Sequence, residues 1–206
     1  MPLLQAANSS CRATAARLAT VALLTLAGCG GGGSSSGGST DTTPNTPAPT
    51  TPPPSTAGTR ITCNLPDFQA EMLAAVNARR RAGASCGTHG SFPAAADLTW
   101  NAQLTQAAVA HSDDMVANNF FDHTGSNGST LGTRATAAGY VWSSLGENIA
   151  AGQTGVAQVV DGWMKSDGHC ANLMNAGFRD IGVACVAGSA SNTYRTYWTQ
   201  DFGTPR

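Results

Sequence analysis

Charge is scarce in this chain. Asp, Glu, Lys and Arg make up 11% of its 206 residues, where an ordinary soluble domain carries about a quarter. Formal net charge is −1, so there is no basic face of the kind that nucleic acid requires. Aromatic residues stand at 6%, and no apolar run reaches the ~20 residues that a membrane-spanning helix needs. The C-x₂-C spacing of structural zinc sites is missing. So is the G-x-S-x-G elbow that exposes a serine nucleophile. No internal repeat is found, which excludes a solenoid.

What is there begins with a leader. Arg12 and Arg17, with no acid nearby, precede an apolar run from Leu18 to Leu26 and then small residues, the order of a secretory signal peptide. Leu26-Ala27-Gly28-Cys29 resembles a bacterial lipobox, in which the cysteine is acylated and cleavage falls just before it. An ordinary leader followed by an incidental cysteine is the alternative. The chain is thus expected to divide into a lipoprotein signal peptide (1–28), a lipidated Cys29 with a disordered tether (29–59), and one domain (60–206). From Gly30 to Thr59 the tether offers no aromatic residue and almost no large aliphatic one, so it cannot offset its ordering entropy. At ~3.3 Å per residue it reaches at most about 100 Å. Acyl chains such as palmitate, together contributing ~0.8 kcal/mol per buried methylene, would hold the protein to a membrane. The expected location is the bacterial cell envelope, at the outer membrane or cell surface, with the domain in the periplasm or outside.

Loss of the leader leaves nine basic residues against twelve acidic ones. Cys11 leaves with it, and Cys63, Cys86, Cys170 and Cys185 remain in the domain. An even count outside the cytosol implies disulfides. Three connectivities are open; Cys63–Cys86 with Cys170–Cys185 is favoured because each pair brackets one local unit. A four-cysteine zinc site is the rival.

Helical periodicity runs from a cap at Asn64 through Phe68, Met72, Leu73, Val76 and Ala82 to Gly83. A second helix is expected from Asp97 or Thr99 to about Asn119, a short one around 130–138, and a third from Val156 to Ser166. Ile181, Val183 and Cys185, then Tyr194 to Phe202, alternate as strands and predict an antiparallel hairpin turning at 188–192. A third strand near Tyr140–Trp142 would complete the sheet. The fold class is α+β, with helices covering both faces of a small antiparallel sheet.

Ionisable residues beside aromatics and glycines are the ones that could carry chemistry. They fall in Phe121-x-His123, Arg134, Gly139-Tyr140, Gly146-Glu147-Asn148-Ile149-Ala150, Trp163-x-x-Ser166-x-Gly168-His169, Ile181-Gly182-Val183 and Tyr197-Trp198-Thr199-Gln200-x-Phe202-Gly203. This ordered series, from about Leu65 to Gly203, resembles the CAP superfamily of cysteine-rich secretory proteins, antigen 5 and pathogenesis-related proteins. The resemblance implies a three-layer α-β-α sandwich around a small central antiparallel sheet. It also implies a shallow cavity lined by His123, His169, Glu147 and, where eukaryotic relatives have a second glutamate, Ser166. Glu147 would then be the one carboxylate of the cavity. In several relatives the two histidines hold a divalent cation, often zinc; here they would hold it weakly.

Each residue also has a plainer reading. His123 and His169 would bond backbone carbonyls at helix ends, Glu147 would brace the histidines, and His111, Asp113, Asp114 and His89 would be solvated. A serine hydrolase built on Ser166 and His169 lacks an elbow and an oxyanion hole. The first expectation is a non-catalytic binding module whose cavity takes a metal ion and a lipid, cell-wall or protein ligand. A metal-assisted or serine-type hydrolase of envelope peptides, with Glu147 and His169 as proton carriers, is the second. A surface adhesin with a structural head is the third.

Overall fold

The computed structural model describes residues 60–206 and the backbone of Leu4–Ala7; Cys29, the tether and the rest of the leader lie outside the described residues. In chain order the elements are β1 (Leu4–Ala7), α1 (Phe68–Ala82), β2 (Ala84–Ser85), a 3₁₀ turn (Gly87–His89), β3 (Ser91–Phe92), β4 (Thr99–Trp100) and α2 (Ala102–Asn118). They continue as α3 (Leu131–Ala137), β5 (Trp142–Ala151), α4 (Val156–Met164), α5 (Asp167–Met174), β6 (Asp180–Ala187) and β7 (Thr196–Pro205). The main sheet has the order β1-β5-β7-β6-β4. All its pairings are antiparallel except the short parallel contact of β4 with β6. β2 and β3 form a separate ribbon.

Helix boundaries follow local chemistry. Asn64 has a left-handed backbone, φ 59°, and α1 starts later, after Asp67. Glu71 in its first turn and Arg79, Arg80 and Arg81 in its last complement the helix dipole. α2 begins not at Asp97 or Thr99 but at Asn101, whose side chain accepts from the Gln103 and Leu104 amides, because Thr99–Trp100 is taken up as β4. Thr130 caps α3 in a reciprocal box with Thr133. The helix expected to end at Ser166 ends at Met164, and a further helix, α5, follows. Gly146–Ala150 does not follow a strand; it lies within β5.

Strand alternation sorts residues into two layers. Trp198 and Phe202 of β7, and Ile181, Val183 and Cys185 of β6, face α1, α4 and α5 in a core with Phe68, Met72, Val76, Trp163 and Leu173. On the opposite face Ile149, Ala151 and Tyr197 pack with Met115 of α2, and Leu145 packs with Leu104, Ala135 and Tyr140. This is the expected α-β-α sandwich. Gly182 sets the α2–sheet distance, since a Cβ there would strike the Thr105 amide nitrogen and Leu104. Arg80 is fully buried and donates to the carbonyls of Ala96, Leu173 and Asn175, at 2.8, 2.7 and 3.0 Å, tying α1 to the end of α5.

The disulfides are Cys63–Cys185 and Cys86–Cys170, which corrects the expected local pairing. Ile61–Cys63 runs beside Cys185 of β6, with Cys63 N–H donating to the Cys185 carbonyl and Cys185 N–H to the Ile61 carbonyl, both at 2.9 Å. The 3₁₀ turn after Cys86 is held to α5 by Asp167, which accepts from the Thr88 amide and hydroxyl. Each bond therefore staples segments far apart in sequence, separated by 122 and 84 residues, where loop-closure entropy gives about 4–5 kcal/mol each. All three core clusters and both disulfides are made within residues 60–206, so this part carries what it needs to fold alone.

Two outcomes are expected. Peptide mapping without reduction yields Cys63 linked to Cys185 and Cys86 linked to Cys170. Gly182→Ala lowers the denaturant midpoint by the equivalent of roughly 1–3 kcal/mol through overpacking; an unchanged midpoint would show that α2 yields.

Candidate functional site

The ionisable residues gather on the sheet face beneath α2. Glu147 of β5 lies directly across from Asp201 of β7; they are 1% and 0% exposed. His123 reaches Glu147 from the loop after α2. That loop is fixed because Asp114 of α2 accepts from the Ser126 amide and hydroxyl and from the Asn118 side chain. Within it, Asn127-Gly128-Ser129 forms the expected turn, with the Asn127 side chain accepting from the Ser129 amide.

Glu147 has both oxygens engaged. His123 Nδ1–H donates to Oε1 at 2.7 Å and Arg134 Nη2 to Oε2 at 2.6 Å. Arg134 also donates to the carbonyls of Ser129 (3.0 Å) and His123 (3.3 Å). Burial opposes the charge of Glu147, but the His123 hydrogen bond and the charge of Arg134 outweigh it and hold the carboxyl below its ordinary range. Asp201 has the reverse balance: burial and the charge of Glu147 push its carboxyl well up. Asp201 therefore keeps its proton to a higher pH than a free carboxyl does, as expected when two carboxyls share one buried site.

His111, expected to be solvated, is fully buried in this cluster. Its Nε2 lies 2.9 Å from the Asp122 carbonyl. A carbonyl only accepts, so Nε2 carries the proton, and Nδ1 is left buried without a partner. Burial lowers its pKa, which keeps the ring neutral. His111 and Asp201 were both missed by sequence reasoning. The signal for His111 was its place on the stripe of Leu104, Ala107, Ala108 and Met115; for Asp201 it was the strand face shared with Tyr197 and Thr199. His89 is exposed, as expected, and Asp113 and Asp114 are half-buried.

His169 approaches from the other layer. It is fully buried on α5, and its carbonyl accepts from Asn148 Nδ2 at 3.2 Å. Asn148 also donates to Gln200 (2.9 Å), and Asn172 donates to Asn148 Oδ1 (3.0 Å) and the Glu147 carbonyl (3.2 Å). β5 therefore joins the two histidine-bearing layers, with Glu147 on one face and Asn148 on the other. Ser166 is the N-cap residue of α5, but its side chain does not cap the helix. Glu147 is not the one carboxylate of the site, as expected from the sequence; Asp201 is the second.

Among the described residues, no three or more His, Cys, Asp or Glu side chains converge to hold a metal ion. His123 Nε2 is buried without a partner and is suited to ligation. The carboxylate that would join it is already neutralised by Arg134. The donor set thus extends at most to two imidazoles, fewer than the three protein ligands of a tight zinc site.

The two carboxyls should respond oppositely to substitution. Glu147→Gln leaves Arg134 as an uncompensated buried charge and should cost about 3 kcal/mol or more at neutral pH. Because Asp201 keeps its proton to a higher pH in the fold than in the unfolded chain, its contribution to stability declines as pH rises above its ordinary 3.8. Asp201→Asn removes that decline. Chemical denaturation of wild type and Asp201→Asn from pH 4 to 8 should show the variant gaining relative stability with pH; a relative loss would mean that Asp201 is ionised.

Residues 73–202 match the profile of the cysteine-rich secretory protein family, CAP. The uncharacterized protein YkwD of Bacillus subtilis (strain 168) is 36% identical over 99 residues, 48% of this chain and 36% of its own length. The uncharacterized membrane protein YlbC of the same organism is 32% identical over 107 residues, 52% of this chain and 29% of its own. This chain thus spans only about a third of the curated relatives it matches. Among solved structures, an extracellular protein containing an SCP domain from Bacillus anthracis str. Ames is 34% identical, with TM-score 0.47, over 53% of this chain and 34% of that one. An outer surface protein from Borrelia burgdorferi is 20% identical, with TM-score 0.49, over 54% of this chain and 80% of that one. With the family profile covering most of the chain and the α-β-α sandwich in place, this protein belongs to the cysteine-rich secretory protein (CAP) family.

Proposed function

We propose that this is an exported, membrane-tethered binding module that captures a ligand without turning it over. One observation carries the reading: Glu147 and Asp201, the acids of the site, are sealed at 1% and 0% exposure, and both oxygens of Glu147 are spent on His123 and Arg134. A general base must reach the proton it removes, and a base sealed in this way serves to pin a loop. Export is supported by the leader and the lipobox-like Leu26–Cys29, and by two disulfides, which persist in oxidising compartments. No helix among the described residues is long and apolar enough to cross a membrane.

The ligand surface then lies around the cluster. Arg134 borders a groove of about 580 Å³ lined by Gln106, Asp114, Asn127, Ser129 and Thr133 together with Ala110, Ala137 and Ala138, a mixed lining suited to an envelope or protein ligand. A divalent ion is a second, weaker ligand, held through His123 Nε2 with water completing its shell, since His169 is carried on the opposite layer. Hydrolysis is the alternative reading, and the opposed carboxyls Glu147 and Asp201 favour it, since separated pKa values mark acid–base pairs.

Two measurements decide. Envelope peptides and activated esters incubated with residues 60–206 should show no turnover above background; turnover that His169→Ala abolishes without unfolding the domain would establish the hydrolase. In zinc titration, a single imidazole ligand should hold the ion more weakly than ~10 µM, raising the thermal midpoint by mass action only at higher metal. That rise should be absent from His123→Ala/His169→Ala. A rise that survives in the double variant would place the ion elsewhere.

A further inference from the structure

We infer that the outer edge of β5, over Glu147–Ala150, is an acceptor for an extended peptide segment, which adds to the sheet as an antiparallel strand. The inference deepens the binding-module reading and rests on it. The edge is occupied by this chain's own Leu4–Ala7, which pairs in continuous antiparallel register: Leu4 with Ala150, Gln5 with Ile149, Ala6 with Asn148 and Ala7 with Glu147. On its other side β5 is paired with β7 over nearly its whole length. Without an occupant, the row of outward N–H and C=O groups from 147 to 150 has no partner in the sheet, the condition under which an edge templates another strand.

The edge also lacks the usual defences. From Leu145 to Ala151 there is no Pro and no Lys, and the irregular register of β5 falls at Trp142–Ser144, away from this stretch. The single charge, Glu147, points beneath α2 and is neutralised there by Arg134. Gly146, Ala150 and Ala151 are small, so a neighbouring backbone can come close. All seven residues are buried with the segment in place.

The occupant is temporary if the leader reading holds. Leu4–Ala7 lies upstream of Cys29, within the segment expected to be cleaved on export, so the mature domain would present this edge open. The chemistry of the segment defines its replacement: an extended, uncharged stretch of small and aliphatic residues, as in Leu-Gln-Ala-Ala, supplied by a protein partner. Backbone hydrogen bonds give the affinity, and the absence of charge suits an edge whose one carboxylate is already paired.

The test uses oxidised residues 30–206, an acetylated and amidated peptide spanning Pro2–Asn8, and two versions of that peptide N-methylated on alternate residues, one in each phase. Amide hydrogen exchange is followed residue by residue. At about 1 mM unmodified peptide, alternate amides of 147–150 should exchange about tenfold more slowly, while the peptide methylated on its sheet-facing amides leaves them unchanged. No slowing with unmodified peptide, or equal slowing with all three, would overturn the inference. Mass spectrometry of the same samples separates the two readings. Slowed exchange with intact peptide supports both; slowed exchange with cleaved peptide keeps the strand site and removes the non-catalytic reading.

Discussion

The buried ion pair between Glu147 and Arg134 is the interaction on which the polar half of the molecule depends. Glu147 comes from the sheet, Arg134 from α3 and His123 from the loop between α2 and α3, so one carboxylate joins three segments. Arg134 also donates to the carbonyls of Ser129 and His123 within the same loop. A carboxylate buried without such partners would be neutral. Here the His123 hydrogen bond and the Arg134 charge favour ionised Glu147, and burial together with that charge pushes the Asp201 carboxyl well up. The state of each acid is thus set by the other and by one guanidinium.

The opposite face of β5 is organised by amides instead of charges. Asn148, Asn172 and Gln200 form a chain of hydrogen bonds that reaches the His169 carbonyl, and none of these three amides titrates. One strand therefore separates an ionic cluster from an amide one. The two disulfides lie on this amide side, joining β6 and α5 to segments near the start of the domain. Covalent stapling and the large apolar core share one face of the sheet, while ionic pinning and two smaller apolar clusters occupy the other.

Much of the fold was legible in the sequence. The alternation from Ile181 to Phe202 predicted the β6–β7 hairpin, and the apolar stripe from Phe68 to Ala82 predicted α1, because both patterns report burial directly. Where the sequence misled, the cause was a tertiary contact. The cysteines were paired by local bracketing, but β6 brings Cys185 against the start of the domain, a proximity that no spacing reveals. The apolar spacing of Val156, Val159, Val160 and Trp163 marks the helix but not its end; the break after Met164 leaves Asp167 free to dock the 3₁₀ turn. Glu147 and His123 were read from a family pattern, and they meet. His111 and Asp201 were passed over because a polar residue on a helix or strand is assigned to solvent by default, and only the second helical layer turns those faces inward.

That default explains how so sparsely charged a domain builds a polar centre. With 11% charged residues in the chain, burying Glu147, Asp201, Arg134, His111 and Arg80 removes a notable share of the charge available for solubility. The arrangement is tolerable because most of these groups are compensated or neutral. Glu147 faces Arg134, burial shifts Asp201 and His111 toward their uncharged forms, and Arg80 lies among the carbonyls at the end of α5, where helix dipoles favour a cation. The net charge placed in the interior is therefore close to that of one guanidinium. A site built this way is poorly suited to release or accept protons, since each change of protonation disturbs a neighbour's. It is well suited to holding one shape, and a rigid strand edge with a fixed loop beside it is what a binding surface requires.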